Sequence, residues 1–267
     1  MKKSSIEKKT RVVYHDIHIK QGENKGIFNR LTQLMSPNYL KEEDNFFKGK
    51  ICLDAGCGSN ASSTYSMLKY GAEKVYAFDL DDTIFEKAPK YLKEFEGKYE
   101  LKVDNVLNMQ YDDNFFDFVH CGGVLHHSTD LPVGIKELGR VTKNGGILEI
   151  MTAGKGGLVR ELTSNLREKY KRDEEFKTLI DKIDVQYFEK FFQEMFSIMR
   201  DNDNRFINLP DKDVMRSLFD EDLALTIKDR IQSPVYLEHS EEEIIAFLKE
   251  AGFSTTHRLT RYPVYTN

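Results

Sequence analysis

Five short runs rich in β-branched and aromatic residues recur through the first 153 residues, separated by stretches with helical spacing. The runs are KICLDAG at 50–56, KVYAFDL at 74–80, YELKVDNV at 99–106, FDFVHCGG at 116–123 and GGILEIMT at 145–152. Between them, 61–70, 82–96 and 130–142 place apolar residues three and four apart, the period that buries one helix face. Strands alternating with helices read as βαβ units, which pair in parallel because each helix carries the chain back across the sheet. Right-handed crossovers then put helices on both faces. The expected fold class is α/β, a doubly wound, mostly parallel sheet.

The pattern changes near residue 153. From Lys155 to about Asn202 it becomes long and helical, with Leu158, Leu162 and Leu166 on one stripe and Phe188, Phe191, Phe192, Met195 and Met199 on another. This reads as a helical insertion after the fifth strand, its aromatic stripe serving helix packing. In HSEEEIIAFLKEAGF, Ser240 is a candidate N-cap with Glu243 three residues on, and Gly252 a candidate C-cap. The final STTHRLTRYPVYTN reads as a terminal strand interrupted by Pro263. Four segments are expected: an N-terminal helical lid at 1–47, a ligand-binding core at 48–153, a helical substrate lid at 154–236, and a C-terminal helix and strand at 237–267 that complete the core.

At 267 residues the chain can bury a substantial core. Its formal charge of −5 supplies no basic field for gripping a phosphate backbone, which argues against nucleic acid as a partner. Cys52, Cys57 and Cys121 lie in or beside apolar runs and read as buried, reduced thiols of a cytoplasmic protein. They are weak candidates for metal binding, and no metal site is expected. The basic start MKKSSIEKKTR is followed by no apolar run of the kind a leader needs, and no run reaches the length of a membrane span.

The chemistry concentrates in KGKICLDAGCGSNASST, residues 48–64. Gly56 and Gly58 allow a tight turn after a strand and a close backbone approach to a ligand. Asp54, two residues before the first glycine, would repel a pyrophosphate and attract a cation. Asp79, 25 positions later at the end of the second run, suits a bidentate grip on ribose hydroxyls, with Leu80 beside it. Asp104 ends the third run, where it could accept from an adenine amino group. Singly, each acid reads equally as a solvated strand end or a helix cap. Together at the carboxyl edge of one sheet they point to a single phosphate-free, positively charged nucleoside. S-adenosylmethionine (SAM) has that chemistry.

These motifs resemble those of class I SAM-dependent methyltransferases of the small-molecule type, similar to the methyltransferase domain 11 group. LDAGCGSN matches the family's acid-x-Gly-x-Gly signature and VYAFDLDD its ribose acid. VDNVLNMQYDDNFFDFVHCGGVLHH matches the adenine-binding turn and fourth strand, and ELGRVTKNGGILEIM the helix, turn and fifth strand. The resemblance covers 48–152 and resumes at SEEEIIAFLKEAGF. It departs at Asn60, where a third glycine is usual and Asn tolerates positive φ, and at Lys143-Asn144, where a proline is usual. The end is short for the family's last two strands.

The resemblance implies a Rossmann-like sheet, SAM as cofactor and S-adenosylhomocysteine as product. It implies that Asp54 and the Gly56-Gly58 turn hold the methionine part, Asp79 the ribose and Asp104 the adenine edge, with Asn105 and Met109 flanking the ring and Leu80 and Cys121 also on the cofactor. His127, with His126 before it, falls beside the expected methyl position and is the candidate base, although capping the next helix is an equal reading. Tyr14, His15, His18, Arg160, Arg216, Arg230 and Tyr236, in the segments that form the family's lid, are candidate acceptor-binding residues. The function this implies is methyl transfer to an O, N or S atom of a small acceptor enclosed under a helical lid. Three alternatives use the same features: cyclisation of the SAM aminobutyl chain, a non-catalytic SAM-binding subunit, and a tRNA-modifying enzyme. A homodimer is compatible with all of them.

Overall fold

The computed structural model describes residues 2–21, 25–183, 187, 190, 194 and 226–259. Three helices, α1 (Lys2–Gln21), α2 (Lys25–Gln33) and α3 (Pro37–Leu40), precede the sheet. Its strands are β1 (Ile51–Ala55), β2 (Lys74–Asp79), β3 (Tyr99–Val103), β4 (Phe116–Gly122) and β5 (Thr142–Met151). All pair in parallel, in the order β3-β2-β1-β4-β5. The chain reverses its direction of travel between β1 and β4, and such a switch point leaves a crevice at the carboxyl ends of the strands. The crossovers are α4 (Ser62–Lys69), α5 (Ile84–Leu92) and α6 (Leu131–Val141).

Strand alternation divides the core into two layers. Cys52, Val75, Ala77 and Phe118 face α4 and α5, where Met67, Leu68, Ile84, Ala88 and Leu92 cover them. Leu53, Phe78, Val119 and Cys121 face the other way, under Leu131, Ile135 and Leu138 of α6. The segment before β1 belongs to the first layer, since Met35, Leu40 and Phe47 are buried within it. Phe47 packs edge-on against Phe46 at 4.8 Å and Phe118 at 5.1 Å. Part of the 1–47 stretch is therefore core.

The Lys143-Asn144 departure is accommodated in the strand rather than in a separate turn. β5 starts at Thr142, opposite Phe116, and its register then slips so that Ile147 faces Phe118. The slip, with Gly145 at φ 77°, is a bulge that absorbs the extra residues without a proline.

Contacts divide the chain into two units, Met1–Gly154 with Val235–Asn267, and Lys155–Pro234. The second contains α7 (Leu158–Arg172), α8 (Glu174–Lys182) and a π-helical turn at Thr226–Gln232. Ile180 and Ile231 are buried there against Leu166, Tyr170, Phe176 and Ile183, whereas Leu162 is 38% exposed. The aromatic stripe Phe188, Phe191, Phe192, Met195 and Met199, and Arg216, lie outside the described residues.

Helix α9 (Glu241–Glu250) returns to the first unit with a full capping box. Glu243 N donates to Ser240 Oγ and Ser240 N to Glu243 Oε2. Its Ile244, Phe247 and Leu248 pack on the α6 layer. Residues 253–259 carry no strand, and the remainder of the expected terminal strand, with Pro263, lies outside the described residues. No described helix is long and apolar enough to cross a membrane.

Phe47→Ala should lower stability by about 3–5 kcal/mol through lost burial and the cavity left against Phe118, read as a shifted midpoint in urea unfolding; a change under 1 kcal/mol would detach this segment from the core.

Candidate active site at the carboxyl rim of the sheet

The turn after β1 is locked to β2 through its backbone. The amides of Gly56 and Cys57 both donate to Phe78 O, at 2.8 Å and 2.9 Å. Gly56 adopts φ 84°, and a Cβ there would fall 2.1 Å from Val124 Cγ2, so no larger residue fits. Gly58, at φ 63°, turns its amide onto Asp79 Oδ2 at 3.0 Å. The residue in left-handed conformation at the helix entry is Ala61, at φ 47°, not Asn60. Asn60 instead accepts the Ser62 amide on its side-chain oxygen, which caps the start of α4.

Asp54 is 1% exposed. Its Oδ2 accepts both the amide and the hydroxyl of Thr64, at 2.9 Å and 2.7 Å. The carboxylate therefore serves the N-terminus of α4, whose first-turn amides have no helical partner and whose dipole favours an anion. Oδ1 is buried with no hydrogen-bond partner among the described residues. Burial pushes the Asp54 carboxyl up, while the charge of His120 and the hydrogen bonds from Thr64 pull against it.

Asp79 ends β2 and accepts the Gly58 amide on Oδ2 and the Asp81 amide on Oδ1 at 3.1 Å. Each carboxylate oxygen keeps a further lone pair for a hydroxyl. Half-buried Leu80 follows it. Asp104 shapes the turn after β3, accepting the Asn105 and Gln110 amides and pairing with Lys102 at 2.8 Å. Asn105 accepts the Leu107 amide at 2.9 Å, and Met109 is buried below it. The same turn is fastened to α6 by Arg140, which donates to the carbonyls of Met109 and Tyr111 and pairs with Asp113 and Glu137. Cys121 is 0% exposed and packs in the α6 layer, on the face of the sheet opposite Asp54.

His126 and His127 occupy a 3₁₀ turn after β4 and are each 8% exposed. His127 Nδ1 lies 3.2 Å from Val235 O, a group that can only accept, so Nδ1 carries the proton. Nε2 is then the acceptor for the Tyr14 hydroxyl at 2.6 Å. Tyr236 stands edge-on to both imidazoles, at 5.1 Å and 5.2 Å between ring centres. Tyr14, on α1, and Tyr236 thus meet the histidines in one place.

His15 also reaches the rim, donating from Nδ1 to Asp81 at 3.0 Å. Asp81 is 1% exposed, and burial alone would raise its carboxyl; hydrogen bonds from Thr83 and His15 outweigh that and leave it lowered. His15, Asp81 and Asp82 offer ligand atoms within 4.8 Å of one another, a spacing that suits a metal ion. Arg11 pairs with both acids, at 3.6 Å and 2.8 Å, and supplies positive charge there. Glu7 completes the face by accepting from Asn105 Nδ2 at 3.0 Å. The His18 side chain lies outside the described atoms, and Arg160 and Arg230 belong to the second unit, where Arg230 O accepts from Arg167.

Glu7, Arg11, Tyr14 and His15 are spaced by four, three and one, one stripe of a helix, which is a signal the sequence carried for Glu7 and Arg11. Thr64, Asp81, His120 and Glu149 gave none. Gly56→Ala should cost about 1–3 kcal/mol of stability from the positive φ alone, and more from the Val124 clash. Thermal unfolding of the variant measures it, and an unchanged midpoint would contradict the turn geometry.

Residues 53–150 match the family described as methyltransferase domain. The demethylmenaquinone methyltransferase of Geobacillus stearothermophilus is 35% identical over 107 residues, 39% of this chain and 45% of that protein. The one from Staphylococcus saprophyticus is 25% identical over 205 residues, 73% of this chain and 82% of that protein. The sterol 24-C-methyltransferase of Aspergillus fumigatus is 29% identical over 116 residues, 42% of this chain and 30% of that protein. In two of the three, this chain spans less than half the relative's length. A sheet in the order β3-β2-β1-β4-β5, a glycine turn after its first strand and a family match that begins in β1 and ends in β5 make residues 53–150 a Rossmann-like methyltransferase domain of the class I SAM-dependent type.

Proposed function

We propose that the chain transfers a methyl group from SAM to an O, N or S atom of a small acceptor. The observation that carries the proposal is the row of acids at the ends of adjacent strands: Asp54 on β1, Asp79 on β2 and Asp104 just after β3. The first two fit the cofactor by their free valences. Asp54 keeps a buried oxygen without a donor, as a sulfonium or ammonium group requires, and Asp79 keeps a lone pair on each oxygen for ribose hydroxyls. Asp104 and Asn105 contribute chiefly by shaping the turn that would bound the adenine ring.

Bound there, SAM would supply a methyl group already attached to a good leaving group. The chain's own part is then to hold the acceptor in line with it, and such positioning can lower a barrier by roughly 7–11 kcal/mol. An acceptor arriving as O–H, N–H or S–H must also lose a proton. The Tyr14 hydroxyl and His127 Nε2 are hydrogen-bonded to each other, and the Val235 carbonyl holds the opposite ring nitrogen. That arrangement keeps His127 in the tautomer able to take a proton, directly or through Tyr14. Arg160, Arg230 and Tyr236 remain candidates for acceptor recognition. The name of the Aspergillus relative specifies a carbon position, so carbon acceptors belong in any screen.

Incubation with methyl-labelled SAM and metabolite extracts tests the activity; label moving into an acceptor with formation of S-adenosylhomocysteine supports it, and methylthioadenosine as the sole product would replace it with cyclisation. Asp79→Ala should abolish measurable SAM binding in calorimetric titration while the protein still folds, destabilised by about 1–3 kcal/mol through the two lost amide contacts. His127→Ala should bind SAM normally and turn over about 10²–10⁴-fold more slowly; full activity across a pH series would remove its role as base.

A further inference from the structure

The scheme above uses Asp54 and leaves unused two ionisable side chains in line with it on the next two strands. In the register, Asp54 of β1 pairs with His120 of β4, and His120 pairs with Glu149 of β5. Residues opposite one another in neighbouring strands point to the same face, so the three stand side by side on the face that α4 covers. His120 Nδ1 donates to Glu149 Oε2. The other edge of the ring leans along the strand over Gly122, where a Cβ would lie 2.7 Å from Cε1 and 2.8 Å from Nε2. Gly122 is the last residue of β4, so the imidazole is directed toward the carboxyl rim. The His120 and Glu149 side chains are only 11% and 13% exposed.

An acid–imidazole–acid row in this setting has a definite electrostatic consequence. A buried carboxylate must be compensated or it takes up a proton. Thr64 occupies Oδ2 of Asp54, and Oδ1 is left for a ligand. Among the causes that act on the Asp54 carboxyl, the charge that draws it down is that of His120. Asp79 adds a negative charge from β2, and burial pushes the Cys57 and Cys121 thiols up, so both stay neutral.

We propose that His120 is a positioning residue for the cationic end of SAM: anchored by Glu149, it supplies the positive charge that lets Asp54 present an ionised Oδ1 to the ligand. The proposal rests on the cofactor reading above. His120 touches no reacting atom in this scheme, and its effect passes through Asp54. Ligand affinity rises with pH as Asp54 ionises and falls again once His120 loses its proton. Without His120, the rising limb moves to higher pH.

The test titrates the full chain with two probes, SAM and methylthioadenosine, which keeps the nucleoside but lacks both sulfonium and ammonium. His120→Gln should weaken SAM about tenfold or more at neutral pH, the equivalent of one pKa unit at Asp54, leave methylthioadenosine affinity unchanged, and regain SAM affinity as pH is raised. Glu149→Gln, which removes the anchor and preserves volume, should shift SAM binding in the same direction and carries the test if His120→Gln does not fold. Equal losses for both probes would mean a general structural role and would overturn the proposal, as would unaltered SAM affinity. A wild-type protein that binds neither probe would overturn the cofactor reading itself.

Discussion

A carboxylate can sit at the end of β1 with almost no solvent contact because Thr64 donates to it twice, once from the backbone and once from the hydroxyl. The same contact supplies α4 with the cap that Ala61 cannot provide from its own side chain. Strand, glycine turn and helix are thereby fixed to one another at one atom, Asp54 Oδ2. The turn between them then has little freedom: Phe78 accepts its first amides and Asp79 accepts the amide of Gly58. The rim takes its shape from acids bonded to backbone amides, and what remains of their capacity is the buried Oδ1 of Asp54 and a lone pair on each oxygen of Asp79.

Helix α1 depends on that rim. Its sequence, KKSSIEKKTRVVYHDIHIKQ, offers little apolar surface for packing. It is tied down by polar contacts instead: Glu7 to Asn105 beyond β3, Arg11 and His15 to the acids beyond β2, and Tyr14 to His127 beyond β4. Exposed ion pairs of this kind contribute little individually, with a median of about 0–1 kcal/mol. Their value here lies in placement, because a helix held by strand-end acids brings Tyr14 and His15 to the edge where a nucleoside would lie.

Much of this was legible in the order of residues. Alternating strand-like and helix-like runs gave the layers, and each strand lies within its expected run except β5, which starts three residues early. The acids at 54, 79 and 104 were visible because local sequence marks strand ends. Local sequence was a poorer guide wherever a partner is remote. Cys121 reads like its neighbours, but pleating turns it toward α6, away from Asp54. Asn60 reads like the strained residue of the turn, but its side chain is better used as a cap, and the left-handed conformation passes to Ala61.

By itself, the sequence determined which short segments extend and which coil, where glycine must interrupt them, and which sign of charge collects at the strand ends. Those properties depend on side-chain size, hydrophobic period and backbone freedom over a few residues. Only the tertiary structure decided that Asp54, His120 and Glu149 form one row, or that Tyr14 and His127 are hydrogen-bonded across 113 positions of chain. Such contacts arise from strand order and register, which bring together groups with no periodic relation along the chain.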